Sequence, residues 1–235
     1  MPSVTSAAAV TTLPMSDVGV DFQRPYWRAG DPEPKGDGDR VAIRMATPGY
    51  FSTMGISLLQ GRTFSDADRR EAFAVIIVSQ DFAERVWGDE SPIGKRLMLD
   101  YNRGKYAYEV VGVSAGVRYY GPKIAPRPEV FIPHAQNAYL PMNLVVRTTS
   151  DPNLLREAVK AEVQNLDPTQ PVSNIQTMEA LLWRSTAVDR FAMWLLGLLG
   201  GLALILATTG VFGLFIIPAT SQGKVLRDGV STTSR

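Results

Sequence analysis

The chain has 235 residues, a formal net charge of +1 and no cysteine. The near-neutral charge gives no support to nucleic acid as a partner, and the lack of cysteine excludes disulfides, thiolate catalysis and cysteine-based zinc or iron–sulfur sites. Hydrophobic residues make up 45% of the sequence and charged residues 20%, which is typical of an ordered protein.

The first forty residues predict a strand followed by a long loop. Val4–Leu13 is rich in alanine and β-branched residues, which favours a strand. Ser16–Asp39 is rich in Gly, Pro and Asp and predicts a loop. Within it, the segment Arg24–Arg28 (RPYWR) can either form a binding patch or tuck the loop onto the core, and we favour the second interpretation.

The next segment with a definite local signal is Thr47–Phe64, TPGYFSTMGISLLQGRTF, which predicts a short helix followed by a strand. Thr47 can cap the helix, Pro48 suits its first position and Gly55 suits its end. Its side chains include no obvious nucleophile, metal ligand or phosphate cradle. The segment therefore predicts a definite local structure without an evident chemical role.

Further elements surround this segment. A half-buried strand precedes it, because apolar residues alternate with polar or small ones at Val41, Ile43 and Met45. Strands are also predicted at 74–79, 97–99, 106–114 and 129–132, and a helix is predicted at 80–87 and ends at Gly88.

The residues from Asn143 to the predicted membrane helix predict a strand–helix–strand–helix unit. The first strand is Asn143–Thr148, and Asp151 caps the first helix with Pro152 at its first position. The second strand is Val172–Gln176, and Thr177 caps the second helix. The apolar face of the first helix consists of Leu155, Val159, Val163 and Leu166.

A single membrane helix is predicted from Phe191 to Ile217, a stretch that contains no charged residue. A helix of this length extends roughly 40 Å at about 1.5 Å per residue, more than the ~30 Å hydrocarbon core of a bilayer. A buried core helix is the alternative, but such helices are shorter and keep a polar face. The flanking basic residues lean slightly towards a cytoplasmic C-terminal tail. They are Arg184 and Arg190 before the helix, and Lys224, Arg227 and Arg235 after it.

Small residues in this helix predict a surface for packing against other helices. Gly197 and Gly201 form a G-x-x-x-G pattern, and Gly210 and Gly213 continue the small-residue theme. Glycine is also common in membrane helices without such a role. Thr208 and Thr209 can hydrogen-bond to their own backbone and need no transport role.

The sequence gives little sign of chemistry. His134 is the only histidine, and a strand-end or loop position is favoured over catalysis because the chain has no G-x-S-x-G elbow. Asp66, Asp68 and Glu71 resemble a calcium loop only loosely, so a solvated turn is favoured. Gly94–Lys95 is not a P-loop. We therefore predict no enzyme activity, no catalytic residue, no metal site and no cofactor site.

Four stretches, taken together, carry a resemblance to a known family. They are 46–69 (ATPGYF…DADR), 74–97 (AVIIVS…GKRL), 108–136 (YEVVGV…PHAQ) and 144–213 (LVVRTT…GVFG). In order and spacing they resemble the periplasmic core region of MacB/FtsX-type ABC-transporter permeases and the membrane helix that follows it. The resemblance covers residues 1 to about 215.

The resemblance implies an α+β fold: a mixed α/β extracytoplasmic domain of two subdomains, one inserted into the other, followed by one transmembrane helix. The membrane-proximal subdomain would begin at 1–39 and resume at 141–189, and the inserted subdomain would be 40–140. The membrane helix would be 190–217 and a short tail 218–235. The segment that begins at Thr47 would open the inserted subdomain as a scaffold.

The resemblance also implies a function in the bacterial inner membrane. A separate cytoplasmic ABC ATPase subunit would bind and hydrolyse ATP, and the membrane helices would move the extracytoplasmic domain. The process would drive efflux or another export step, or transmit force to envelope enzymes. The other expected partners are further permease helices or a second permease copy, and the lipid bilayer.

Compared with the family's pattern, the sequence lacks the first membrane helix and the strand–helix that follows it. The family-like pattern ends after Gly213. We therefore expect the chain to be a truncated permease fragment that exposes apolar sheet surface and is poorly soluble without a partner. Two other hypotheses stay open. One is a membrane-anchored scaffold or binding module without transport activity; the other is a membrane-anchored hydrolase, which would require His134.

Overall fold

The computed structural model describes residues 3–16, 22–36, 38–101, 104–119, 125–185 and 187–216. The chain divides into two compact units, Met1–Ser185 and Thr186–Arg235. The first contains both strands and helices and the second contains one long apolar helix, which confirms the predicted mixed class. The predicted tail, 218–235, lies outside the described residues.

The described strands are β1 (Val4–Val10), β2 (Phe22–Arg28), β3 (Arg40–Ala46), β4 (Leu58–Gly61), β5 (Val75–Ser79), β6 (Arg96–Tyr101), β7 (Gly104–Ser114), β8 (Glu129–Pro133) and β9 (Asn143–Thr148). The described α-helices are α1 (Tyr50–Met54), α2 (Gln80–Trp87), α3 (Arg156–Leu166), α4 (Met178–Ser185) and α5 (Ala187–Ile216), and a 3-10 helix covers Pro152–Leu155.

Six of these strands pair in a closed ring, in the order β2, β6, β7, β5, β8, β3 and back to β2. The closure depends on β2, whose first part pairs with β3 up to Pro25 opposite Arg40. From Tyr26 opposite Leu99, β2 pairs with β6 instead. The prediction that Ser16–Asp39 is only a loop was therefore wrong, because it contains the strand that closes the ring.

The main hydrophobic core is built by ring strands and by one helix, α2. Phe82 packs edge to face on Tyr26 of β2, with 4.8 Å between the ring centroids. This contact confirms that the RPYWR segment tucks onto the core. The helix has the predicted bounds and ends at Gly88, whose φ of +61° favours glycine. Strand β5 is buried over its whole length, as its unbroken apolar run predicts.

Strand β3 differs from its prediction, because six of its seven residues are buried and only Arg40 is exposed. The alternation at Val41, Ile43 and Met45 marks one face, which lies in the main core. The other face is covered too, because Ala46 lies in a second core with Tyr50 and Phe51 of α1. Two small residues and one arginine on the second face, Ala42, Ala46 and Arg44, gave the pattern of a half-exposed strand.

Strands β1 and β9 form an antiparallel ladder at one end of the sheet. The ladder joins the ring through a single register pair, Val10 of β1 opposite Ala46 of β3. On its other side, β9 has no strand partner among the described residues. Leu144 of β9 is 51% exposed.

The unit that follows β9 confirms some of the predicted local signals. The Asp151 side chain accepts a hydrogen bond from the Asn153 backbone N–H at 2.9 Å, and Thr177 Oγ1 accepts one from Ala180 at 3.1 Å. The strand expected at Val172–Gln176 was wrong, because this segment has no regular structure. Asn174 has a φ of +54°, which breaks an extended backbone.

The predicted apolar face of α3 is covered only in part. Leu155, Val159 and Val163 are half-buried, whereas Leu166 is 83% exposed. The face therefore has the predicted helical spacing, but its C-terminal end lies in solvent in the described part of the chain.

Glycine at position 61 is required by both conformation and space. Gly61 has a φ of +75°, and a Cβ there would lie 2.1 Å from the carbonyl oxygen of Val111. Gly49 has a similar φ of +83°, but a Cβ there would meet no atom within 4 Å. We predict that Gly49→Ala lowers the free energy of unfolding by about 1 kcal/mol, from backbone strain alone.

Gly61→Ala should lower it by about 2 kcal/mol more, because the added methyl group also displaces β7. The measurement is urea unfolding of the full chain in detergent micelles, followed by circular dichroism. Equal losses in the two variants would contradict the close approach of β4 and β7.

Candidate functional site

The second unit contains a helix, α5, that is long and apolar enough to cross a membrane. Its segment Phe191–Thr209 has a mean hydropathy of 2.1, and none of that segment is buried within the protein. Large side chains such as Trp194 (78% exposed) and Leu196 (68%) project outwards. A fully apolar and uncovered helix is suited to lipid or to other membrane helices. It is the one such helix in the described part of the chain.

The glycines predicted to pack against other helices all lie in α5. Apart from the neighbouring backbone of α5 itself, a Cβ at Gly197 or Gly201 would meet no described atom within 4 Å, so the described part of the chain leaves room there. A regular helix turns by about 100° per residue, so Gly210, nine residues after Gly201, is rotated from it by about 180° around the helix axis. The pair Gly210 and Gly213 is therefore on the opposite face from the first pair. The role of these glycines in helix packing stays a prediction, and it now involves two opposite faces of α5.

The two threonines near the end of the membrane segment bond to their own helix. Thr208 Oγ1 donates to the Leu204 and Ile205 carbonyl oxygens at 3.0 and 2.8 Å. Thr209 Oγ1 donates to those of Ile205 and Leu206 at 3.0 and 2.9 Å. This confirms that neither hydroxyl needs a partner outside the helix.

Residues that could have carried chemistry are not brought together. His134 directly follows β8, as predicted, and its backbone N–H donates to the Ala46 carbonyl oxygen at 2.9 Å. Among the described residues, no group of three His, Cys, Asp or Glu side chains could hold a metal ion. Of the three carboxylates with a loose calcium-loop spacing, Asp68 is turned inwards and is only 4% exposed.

Asp68 is engaged by an arginine and not by a cation site. The two nitrogens Arg62 Nη1 and Nη2 each donate to a carboxylate oxygen of Asp68 at 2.8 Å, and the Ser65 backbone N–H donates at 2.8 Å. The hydrogen bonds from Arg62, together with that from the Ser65 backbone, hold the pKa of Asp68 below its usual range. The predicted solvated turn is thus a turn closed by a bidentate ion pair.

The helix α1 lies between the ladder and the ring, and polar contacts fix it to both strands of the ladder. Thr47 does not cap α1, because its Oγ1 accepts a hydrogen bond from the Ala9 N–H of β1 at 2.8 Å. On the other side, Arg147 Nε of β9 donates to the Thr53 carbonyl oxygen at 2.9 Å. The predicted stop at Gly55 is confirmed, with a φ of +71°.

Aromatic side chains fix α1 to the ring. Tyr50 and Phe51 pack on Phe131 of β8, with ring centroids 6.0 and 5.0 Å away. Phe51 also packs on Phe64, at 6.1 Å. The Tyr50 hydroxyl lies 3.3 Å from that of Tyr119, which follows β7.

A buried ion pair lies beside these tyrosines, and sequence reasoning did not find it. Arg44 of β3 and Glu129 of β8 are 1% and 2% exposed, with 3.7 Å between Arg44 Nε and Glu129 Oε2. The Arg44 guanidinium also lies over the Tyr119 ring, 4.5 Å from its centroid. The available signal was a charged residue inside each of two otherwise apolar strands, which indicates a buried pair only once the strands are known to be adjacent.

Burial changes the acidity of this cluster. It raises the pKa of Tyr50 to about 12, against the opposing effect of the hydrogen bond with Tyr119. Burial also raises the pKa of Tyr119 well above its usual range. Both phenols are therefore neutral near pH 7 and act as hydrogen-bonding groups, with no nucleophilic phenolate available.

An open groove of about 580 Å³ lies beside the RPYWR segment, lined by Tyr26, Trp27, Arg28, Asp31, Pro32, Pro34, Asp39, Arg85 and Val86. The Arg28 side chain is bound by Asp31 at 2.8 Å. The groove thus combines aromatic and proline surface with charges of both signs.

Comparisons with known proteins match the first unit. The sequence model of the MacB-like periplasmic core domain matches residues 2–166. The periplasmic region of MacB from Actinobacillus actinomycetemcomitans is similar at 13% identity and a TM-score of 0.49, covering 71% of this chain and 69% of that one. No curated relative matches the sequence.

Two further solved structures are similar. One is a domain of a protein described as a permease from Porphyromonas gingivalis, at 16% identity and a TM-score of 0.47, covering 79% of this chain and 84% of that one. The other is the extracellular domain of the noncanonic ABC-type transporter YknZ from Gram-positive bacteria. It has 18% identity and a TM-score of 0.46, covering 72% of this chain and 79% of that one.

The buried tyrosines predict a loss of stability in alkali. The pKa of Tyr50 is about 12 in the folded chain and about 10 in the unfolded chain, so the unfolded chain releases its proton first as the pH rises. The contribution is fully present below pH 10 and is lost between about pH 10 and 12. Tyr50→Phe should reduce the fall in unfolding free energy by about 1.4 kcal/mol per pH unit in this window.

The measurement is urea unfolding at several pH values from 9.5 to about 11.5. Tyr106→Phe removes an exposed phenol (51% exposed) and is the control, which should leave the slope unchanged. A Tyr50→Phe variant with the slope of the unmodified chain would contradict the burial of this phenol.

Proposed function

The chain belongs to the MacB-like periplasmic core domain family, and from this premise we propose that it is a non-catalytic component of an ABC-type export or mechanotransmission system. The match over residues 2–166 carries the proposal. The family is a non-catalytic part of ABC-transporter permeases, and its domain lies outside the cytoplasm. In this proposal the first unit is the extracytoplasmic domain, and it transmits movement without binding ATP.

We propose that α5 spans the bacterial inner membrane and connects this domain to the energy source. The length and mean hydropathy of Phe191–Thr209 support a membrane location. ATP would be bound by a cytoplasmic ABC ATPase subunit. Other permease helices, or a second permease copy, would pack on the helix at Gly197 and Gly201, where an added Cβ would meet no described atom within 4 Å apart from the neighbouring backbone of α5 itself.

We also propose that the ladder and the ring correspond to two subdomains. The pairing of β1 with β9 brings residues before position 40 together with residues after position 140, which supports a membrane-proximal subdomain built from both parts of the chain. Strands β3 to β8 supply most of the ring and would form the inserted subdomain, 40–140. Strand β2 crosses this boundary, because it pairs with β3 and β6.

The first test is membrane insertion of α5. Leu199→Arg with Leu202→Arg places two charges on a helix that otherwise has none in this segment, at an insertion cost of about 3 kcal/mol each near the bilayer centre. We expect the unmodified chain to stay in membranes during alkaline carbonate extraction and the double variant to be released. Leu166→Arg, at an exposed position of α3, is the matched control and should remain in the membrane. Release of the unmodified chain would contradict insertion.

The second test examines whether the chain binds an ABC ATPase subunit and whether this binding depends on the glycines of α5. A tagged full chain, purified from its native membranes in mild detergent, should carry ATP-hydrolysing activity and an ABC ATPase subunit identifiable by mass spectrometry. Gly197→Leu with Gly201→Leu should lower the co-purified activity about tenfold, because the added side chains prevent close helix approach.

Ala203→Leu is the matched control, because two residues beyond Gly201 correspond to about 200° of rotation, on the opposite face. It should co-purify the ATPase as the unmodified chain does. Purification of a membrane-inserted chain without any ATPase would contradict the permease proposal and favour a membrane-anchored scaffold or binding module.

A further inference from the structure

The connection between the ladder and the ring is narrow compared with either part. The ladder shares a run of register pairs from Val4 to Val10, whereas its link to the ring is one pair, Val10 opposite Ala46. A few hydrogen bonds surround this crossing. The Thr11 N–H donates to the Met45 carbonyl oxygen at 3.0 Å, and the Thr47 N–H donates to that of Ala9 at 2.9 Å. Such a crossing allows one part to separate from the other without breaking either internal ladder.

The helix α1 bridges this crossing, and its two sides differ in chemistry. On the side of the strand ring, large aromatic side chains form a buried contact, in which Tyr50 and Phe51 pack against Phe131. On the ladder side, the apolar residues packed nearby are small, namely Ala8 and Val10. Because apolar stabilisation scales with the area buried, α1 is held more firmly by the ring than by the ladder.

Two side chains add polar contacts on the ladder side: Thr47, whose Oγ1 accepts a hydrogen bond from the Ala9 N–H of β1 at 2.8 Å, and Arg147, which contacts the helix itself. Arg147 of β9 reaches α1, and its Nε donates to the Thr53 carbonyl oxygen at 2.9 Å. Thr53 lies in the last turn of α1, where carbonyl groups lack helical partners and the helix dipole favours a cation. The guanidinium also lies 3.1 Å from the position that a Cβ of Gly55 would take. A side chain at position 55 would therefore crowd this contact.

We infer that α1 is a latch, held by Arg147, that couples the β1–β9 ladder to the strand ring, and that the ladder separates from the ring as one cooperative unit when the latch opens. When α1 is bound by Arg147, a displacement of β9 also moves the ring; when this contact is broken, β9 moves without the ring. This inference concerns the folded domain and does not depend on transport or on an ATPase. It also explains why Thr47–Gly55 has so definite a local structure without any chemistry.

Hydrogen exchange of the full chain in detergent micelles, read by mass spectrometry, tests the latch. In the unmodified chain, amides of β1 and β9 should exchange faster than those of β5 and β8. Arg147→Ala should raise exchange in β1 and β9 about tenfold and leave β5 and β8 unchanged, because a charge-assisted bond to a helix end is lost. Arg156→Ala removes an exposed arginine at the start of α3 and is the matched control, with no change expected in β1.

A disulfide provides an independent test in a chain that has no native cysteine. Val10 and Ala46 face each other in antiparallel strands, at a separation that suits a disulfide. In the oxidised Val10→Cys, Ala46→Cys background, Arg147→Ala should no longer accelerate exchange in β1 and β9, and reduction should restore the effect. Equal acceleration in ladder and ring, no acceleration at all, or an acceleration that the disulfide leaves in place would each overturn the inference.

Discussion

The architecture depends on one strand that has two partners. Strand β2 pairs with β3 up to Pro25 and with β6 from Tyr26 onwards, and this change of partner closes six strands into a ring. Proline has no N–H to offer a ladder, so it is tolerated where the strand passes from one neighbour to the other. Closure removes the open edges that six strands would otherwise expose. It also gives Tyr26 its place against Phe82 in the main core.

Local signals predicted the elements whose structure is decided locally. The bounds of α2, the stop at Gly55 and the capping residues Asp151 and Thr177 were readable because each depends on neighbours within one helical turn. The resemblance read from four sequence stretches is confirmed by the family match over residues 2–166. These elements and the family were therefore predictable from the sequence alone.

Features decided by distant parts of the chain were not predictable. Strand β2 lies among loop-forming residues, and only its two partners make it a strand. Thr47 has the composition of a helix cap, but Ala9 competes successfully for its hydroxyl. Val172–Gln176 has strand-like composition but no strand to pair with in the described part of the chain. Likewise, Arg44 and Glu129 become a pair only because β3 lies parallel to β8.

The candidate sites in the described part of the chain are structural, because none of them brings reactive groups together. The hydroxyls of Tyr50 and Tyr119 lie within hydrogen-bonding distance of each other, and Arg44 and Glu129 form an ion pair in which both side chains are almost fully buried. A buried ion pair contributes less to net stability than to fixing which surfaces meet, since either charge is costly without its partner. In this chain the pair joins β3 to its parallel neighbour β8.

The pairing of β1 with β9 also constrains how the chain is made. Val4 lies opposite Thr148, so β1 emerges early during synthesis but its partner strand is complete only much later. The whole ring sequence is synthesised in between, and before β9 is made the strand pairing available to β1 is its single register pair with β3, Val10 opposite Ala46. Contacts between such distant segments form slowly, because a long loop must close before they contribute stability. The ladder is therefore completed only after the ring sequence has been synthesised, and until then β1 is open to wrong pairing or to a chaperone.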